Sequence, residues 1–232
     1  MSLYAIGDLH FSTLVEKPMN IFGDKWDKHE EKIISSWKDN VKDEDVVLVL
    51  GDTSWGINLT EAKPDLDIIS NLCGNKIFIK GNHDYWWSSL SKINAVYESD
   101  DMNFIQNGYF TYGDYAICGS RGWLCPNEVK FDSNDMKIYR REVLRLEMSI
   151  QSAIQNGCNN IIVITHYPPT NDQLEESEFT KLYEKYNIKK VIYGHLHGKE
   201  SFEMGLKGIR NGIEYILASS DYLDFKLIKV LD

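Results

Sequence analysis

A chain of 232 residues that is 43% hydrophobic, 12% aromatic and 26% charged has enough apolar material for one sizeable core. Its formal net charge of -10 counts against a protein that grips long nucleic acids, which draw most of their affinity from basic side chains set against phosphates. It has no apolar run long enough to span a membrane, and no N-terminal secretory signal is expected. Cys73, Cys118, Cys125 and Cys158 form no CxxC pair, so a cytoplasmic protein with reduced thiols is expected.

In chain order, the apolar tetrad Leu3 to Ile6 predicts a short buried strand that stops at Gly7-Asp8. Lys28 to Val41 has helical spacing, with Ile33, Ile34 and Trp37 on one face. Asp45 to Leu50 is a near-continuous apolar strand ended by Gly51-Asp52. A helix is expected around Ala62 to Leu72, then a strand over Lys76 to Lys80 ended by Gly81-Asn82. This strand–helix–strand alternation argues for parallel pairing. Between Phe104 and Gly119 the pattern changes to short aromatic strands around the turn signals Asn107-Gly108 and Gly113-Asp114. Met136 to Asn156 reads as a long helix with Glu142, Arg145 and Glu147 on a solvated face, and the acidic stretches Glu98 to Asp101 and Glu175-Glu176 as solvated too. Asn160 to Thr165 and Val191 to Tyr193 are strands that run into His166 and Gly194-His195. Two more, Glu214 to Ala218 and Phe225 to Val230, close the chain. No repeat and no Pro/Gly/Ser-rich linker divides it, so residues 1–232 read as a single domain.

Five separate apolar strands therefore end in side chains able to bind a metal: Asp8-Leu9-His10, Gly51-Asp52, Gly81-Asn82-His83-Asp84, Thr165-His166 and Gly194-His195-Leu196-His197. In an α/β sheet, ligands gather beyond the carboxyl ends of the strands, where residues distant in sequence converge. The glycines before Asp8, Asp52, Asn82 and His195 suit sharp turns in which backbone passes close to a bound ion. Each piece alone is weak, because an Asp after a strand is usually a turn residue. All five, in order, with five of the six histidines among them, are not.

The ordered set DxH, GD, GNH followed by an acidic residue, a lone His, and GHxH closely resembles the calcineurin-like metallophosphoesterase superfamily, over residues 8 to 197. The aromatic extensions Tyr85-Trp86-Trp87 and Tyr193 resemble a bacterial subgroup of predicted phosphohydrolases. The resemblance implies an α/β fold of two mixed β-sheets packed as a sandwich, with helices on the outer faces. It also implies two divalent or mixed-valence transition-metal ions: Asp8, His10, Asp52 and His197 would hold one, and Asp52, Asn82, His166 and His195 the other. Imidazole with carboxylate suits Mn, Fe, Zn or Co, whereas a magnesium site is normally oxygen-only. Such a pair lowers the pKa of a bridging water, whose hydroxide attacks phosphorus in line.

By the same resemblance His83 is the general acid for the leaving group, and Asp84 would fix its tautomer and keep it cationic. Asn82 brings a neutral oxygen that limits negative charge around an incoming phosphate. Arg121, between glycines after a strand, is either a surface arginine or a clamp on the substrate phosphate. Trp55, Tyr85, Trp86 and Trp87 either wall the cleft or pack in the core, and His29 reads as only an early-helix residue, with contact to substrate as the alternative. The expected substrate is a small phosphomonoester or phosphodiester. The alternatives are a nuclease with the same chemistry, and a non-catalytic scaffold, which would be expected to have lost ligands.

Overall fold

The computed structural model describes residues 1–97, 101–127 and 131–232. The first half runs β1 (Leu3–Ile6), α1 (His29–Asn40), β2 (Val46–Val49), α2 (Leu59–Ser70), β3 (Asn75–Phe78), α3 (Leu90–Asn94) and β4 (Met102–Phe104). The second runs β5 (Tyr109–Tyr112), β6 (Tyr115–Ser120), α4 (Ser133–Gln155), β7 (Asn160–Thr165), α5 (Glu178–Lys185), β8 (Lys190–Tyr193), α6 (Lys199–Glu203), β9 (Gly208–Arg210), β10 (Ile213–Leu217) and β11 (Ile228–Leu231). Two sheets result, ordered β11-β1-β2-β3-β4 and β5-β6-β7-β8-β10-β9. Both are mixed: β11 is antiparallel to β1, β5 to β6 and β9 to β10, and every other pairing is parallel.

The continuous apolar runs follow from burial on both faces of a parallel strand, where side chains alternate. Val47 and Val49 of β2 face outward to Ile33 and Trp37 of α1 and to Ala62, Leu66 and Ile69 of α2. Val46, Leu48 and Leu50 face inward to Ile117, Ile162, Ile164 and Ile192 of the other sheet. On the far side, Ile161 and Val163 of β7 meet Val143, Leu146 and Ile150 of α4 and Phe179, Leu182 and Tyr183 of α5. The molecule is a sandwich of two mixed sheets with helices on the outer faces, and the parallel strands of both sheets present their carboxyl ends to one rim.

Local chemistry explains where elements begin. Asn58 caps α2 by accepting from Glu61 N at 3.1 Å, so that helix starts three residues before the predicted Ala62. Asp132 caps α4, accepting from the backbone N–H of Asn134 and Asp135. Gly113-Asp114 does turn the β5–β6 hairpin. Asn107-Gly108 instead crosses between sheets, because β4 pairs with β3 in the first sheet and β5 opens the second. The last strand begins at Ile228, later than expected, after Asp224 and Phe225 turn the chain with positive φ. Glu142 corrects a prediction: it is 1% exposed, drawn inward by the arginines around it. Of the acidic stretches, Glu175 and Glu176 are exposed, and Glu98 to Asp100 lie outside the described residues. No helix among the described residues is long and apolar enough to cross a membrane.

Candidate metal centre

Asp8, Asp52 and Asn82 leave the first sheet, and His166 and His195 leave the second, all from carboxyl ends of parallel strands. Backbone bonds stitch the loops together: Asp8 N donates to Gly51 O at 2.9 Å, His10 N to Asp52 O at 2.9 Å and Gly194 N to His166 O at 3.1 Å. Carboxylates complete the stitching, with His195 N donating to Asp8 Oδ2 at 2.9 Å and His83 N to Asp52 Oδ1 at 2.7 Å. Such closeness requires glycine: a Cβ on Gly81 would collide with Asp52 Oδ1, and one on Gly194 with Asp8 Oδ2. Asp8, His10, Asp52 and His195 themselves have positive φ, at 59°, 49°, 50° and 73°. Left-handed backbone costs a non-glycine residue about 1–3 kcal/mol and persists where the surroundings over-determine it, commonly at functional sites.

Two sets of donor atoms converge there, Asp8 with His10 and His197, and Asp8 with Asp52 and His166. Asp52 Oδ2 lies 3.8 Å from His10 Nε2 and 3.5 Å from His166 Nε2, so both carboxylates reach both sides. His166 Nδ1–H donates to Leu50 O at 2.9 Å, which leaves the lone pair on Nε2. That lone pair faces Asn82 Oδ1 at 2.7 Å, another acceptor, with His195 Nδ1 at 3.1 Å. A lone pair and an acceptor oxygen that face each other this way repel unless a cation or a proton lies between them.

Protonation follows the same logic. Burial, then the neighbouring Asp84 and Asp8, push the Asp52 carboxyl up to about 7, although His166 opposes the shift. A cation at this place would supply the positive charge that a proton otherwise brings. Burial and His166 pull His195 down to about 3, and burial and His197 pull His10 well below its ordinary value, leaving both imidazoles neutral as ligands require. Burial opposes ionisation of Asp8, but His197, His166 and His10 together outweigh it and hold the carboxyl below the carboxylate range. Burial also opposes charge on His197, yet Asp8 and Asp221 raise it to about 10. The donor set fits transition metals: borderline nitrogens, hard oxygens and partners that orient the rings.

Residues 1–199 match the calcineurin-like phosphoesterase family. This chain belongs to that family. It is 32% identical over 83 residues to an uncharacterized protein of Methanocaldococcus jannaschii, a stretch covering 35% of this chain and 46% of that one, so the chain spans less than half of that relative's length. Phosphopantetheinyl hydrolase from Mycobacterium tuberculosis shares the fold, with a TM-score of 0.60 at 14% identity over 99% of this chain and 95% of that one. A protein of unknown function from Aquifex aeolicus does so with a TM-score of 0.54 at 21% identity, over 98% and 95%.

Within this member of the calcineurin-like phosphoesterase family, several residues support the convergent side chains. Asp221, which sequence spacing did not reveal, accepts from His197 Nδ1 at 2.9 Å, so that Nε2 points towards Asp8 at 3.3 Å. It lies in the loop after β10, outside every motif, and only its burial and its partner mark it. His29 does not reach the cleft; it is buried, and its Nε2 lies 3.2 Å from His10 O. Asp84 corrects an expectation. Its oxygens accept from the backbone N–H of Gly81 (2.7 Å), Thr53 (2.8 Å) and Asp52 (2.9 Å) and from Trp86 Nε1 (2.9 Å). A carboxylate so occupied clamps the two ligand loops and has no lone pair left to orient an imidazole. His83 Nδ1 accordingly has no hydrogen-bond partner among the described residues. Burial, then His166, hold His83 below the usual histidine range.

The aromatic residues divide. Trp55 stacks on His10 with ring centroids 4.8 Å apart and lies 4.7 Å from the His83 ring, at the edge of the centre. Trp86 and Trp87 are buried in the outer core, and Tyr85 is exposed. Arg121 turns away from the ligands. Its carbonyl accepts from His166 N and Tyr167 N, while its guanidinium lies 4.4 Å over the Trp123 ring with Nη2 3.8 Å from Glu142 Oε1.

Proposed function

We propose that this protein hydrolyses a small phosphomonoester or phosphodiester, using two divalent or mixed-valence transition-metal ions held by Asp8, His10, Asp52, Asn82, His166, His195 and His197. The observation that carries the reading is the meeting of Asn82 Oδ1 with the lone pair of His166 Nε2, whose tautomer is set by Leu50 O. Family membership supports the same conclusion. Two ions bound there would neutralise charge on the phosphoryl group and make water acidic enough to attack it near neutral pH.

The chain's own residues do the rest. Asp52 stands between the His10 and His166 sides and would be shared by both ions. Asp84 holds the Asp52 and Gly81 backbones at fixed separation, and Asp221 holds His197 in one tautomer. His83, beside the centre and with no hydrogen-bond partner on Nδ1 among the described residues, would give its proton to the departing oxygen. It borders a cavity of about 390 Å³ walled by Met19, Phe22, Trp26, Trp55 and Phe202, with Lys25 and Lys199 at its edge. The organic part of the substrate would lie in this aromatic cavity. A turnover screen with chromogenic mono- and diesters, each with Mn, Fe, Zn, Co and Mg, tests the reading. Turnover that needs a transition metal and disappears on chelation supports it; undiminished turnover after exhaustive chelation would overturn it.

A further inference from the structure

A second cavity, of about 250 Å³, opens where the ends of β3, β4 and β6 meet α4. Lys80, Arg121, Arg141 and Arg145 line it, with Glu142 and Gln106. None of the seven convergent side chains lines it, and it shares no lining residue with the aromatic cavity.

Its charge is unbalanced. Glu142 Oε1 accepts from Arg145 Nη1 at 2.9 Å and Arg141 Nε at 3.2 Å, with Arg121 Nη2 at 3.8 Å. Lys80 does not reach that carboxylate, and among the described residues its Nζ has only Trp87 O at 3.4 Å. Among the described residues, no other carboxylate lies within 4.0 Å of any of the four cations. Four cations against one carboxylate leave three positive charges gathered in a chain whose net charge is -10. A structural tie between α4 and the sheets would need one arginine on Glu142, and Lys80 makes no direct contact with that carboxylate. Arg121 adds a second sign: its side chain is 16% exposed, and its Nε is buried with no hydrogen-bond partner among the described residues. An unmet buried donor on a charged group is costly, a cost that an acceptor in the cavity removes. Guanidiniums and an ammonium around a small hollow match a tetrahedral oxyanion, which offers several acceptor oxygens at once.

We propose that this cavity is an oxyanion site that binds a phosphate group, separate from any phosphate at the metal centre. The site also abuts that centre. Lys80 is followed by Gly81 and Asn82, and the Arg121 carbonyl holds the backbone N–H of His166 and Tyr167. An anion drawing on Lys80 and Arg121 therefore bears on the segments that carry two of the proposed ligands. The inference rests on the cavity's own charges and stands whether or not the protein is a phosphoesterase.

Calorimetric titration of the full-length, metal-loaded protein with inorganic phosphate at low ionic strength tests it. Asp52→Asn removes phosphate binding at the metal centre, and this variant is expected to keep one phosphate site. Adding Lys80→Gln and Arg141→Gln should weaken that site by about tenfold or more for each cation removed. Arg145→Gln, one helical turn on, should weaken it likewise, which guards against a folding defect in the triple variant. Methylphosphonate, titrated in parallel, separates the two sources: binding of both anions admits an esterified phosphate, and binding of phosphate alone points to the free anion. Absence of any phosphate site in Asp52→Asn, or a site indifferent to these charges, overturns the proposal.

Discussion

Two hollows flank the convergent carboxylates and imidazoles, and they are built from opposite chemistry. On the His10 and His197 side the walls are Met19, Phe22, Trp26, Trp55 and Phe202, so that cavity offers mainly dispersion, with Lys25, Lys199 and Asp221 also lining it. Beyond Asn82 and His166 the walls are Lys80, Arg121, Arg141 and Arg145 around one carboxylate, which offers charge in a partly buried place. His83 borders the first and is absent from the second. Such a division would suit the two proposed tasks, holding the part of a molecule that leaves and holding an anion that does not react. The difference also shows why a phosphate-directed arginine cannot be inferred from its loop alone. Arg121 follows β6 among the strand ends, yet Glu142 and Trp123 draw its guanidinium to the far side.

The largest effect is expected at the seam between the hollows. Asp52→Asn should lower turnover by about a thousandfold or more, roughly 4 kcal/mol of barrier, with a matching fall in metal content by elemental analysis. Full metal content with full activity would remove Asp52 from the centre. His83→Ala should keep its metal and lose about 10²–10⁴-fold on esters with poor leaving groups, and much less on an activated aryl ester. Equal losses on both ester types would make His83 a positioning residue and weaken the claim that the aromatic side faces the departing group.

Asp84 sharpens the comparison from the structural side. Asp84→Ala strands several buried N–H donors and should destabilise the metal-free protein by about 3 kcal/mol or more in urea unfolding. A normal unfolding midpoint with an altered pH–rate profile would instead restore Asp84 as a partner of His83. On the aromatic side, Trp55→Ala should raise KM several-fold for aryl esters, about 1 kcal/mol. Phosphate binding in the cationic cavity should be unmoved by it, and a parallel loss in both would show that the hollows are not independent.

The smallest effect is a pH trend. Asp52, raised to about 7, contributes stability that is complete below its ordinary 3.8 and lost as pH rises through about 7. His197, raised to about 10, contributes stability complete below 6.5 and lost as pH rises through about 10. Below about pH 6.5 the depressed His10 and His195 add stability as pH rises and oppose the Asp52 trend. The chelated protein should therefore lose thermal stability between about pH 6.5 and 10, where the two raised groups act unopposed. The metal-loaded protein should show a flatter profile, because cations replace the protons. A chelated profile that rises across this window would contradict the assigned shifts.

Much of this architecture is written in local pattern. The unbroken apolar runs of β2 and β7 announce strands covered on both faces, and the polar residues after them announce a shared rim, because parallel strands must end together. The Asp8, Asp52, Asn82, His166 and His195 blocks are legible for that reason, since each side chain sits where its own strand stops. What tertiary structure alone decided are the partners. Whether Asp84 serves His83 or the backbone of Gly81, Asp52 and Thr53 depends on how two loops from adjacent strands face each other. Glu142 is buried because three arginines reach it, two along α4 and one from the end of β6, although helical position alone suggested solvent. Asp221 finds His197 across 24 residues of chain that include β9 and β10. Hydrogen bonds and charges act through space over a few ångströms, whereas sequence patterns record only which face of its own element a residue occupies.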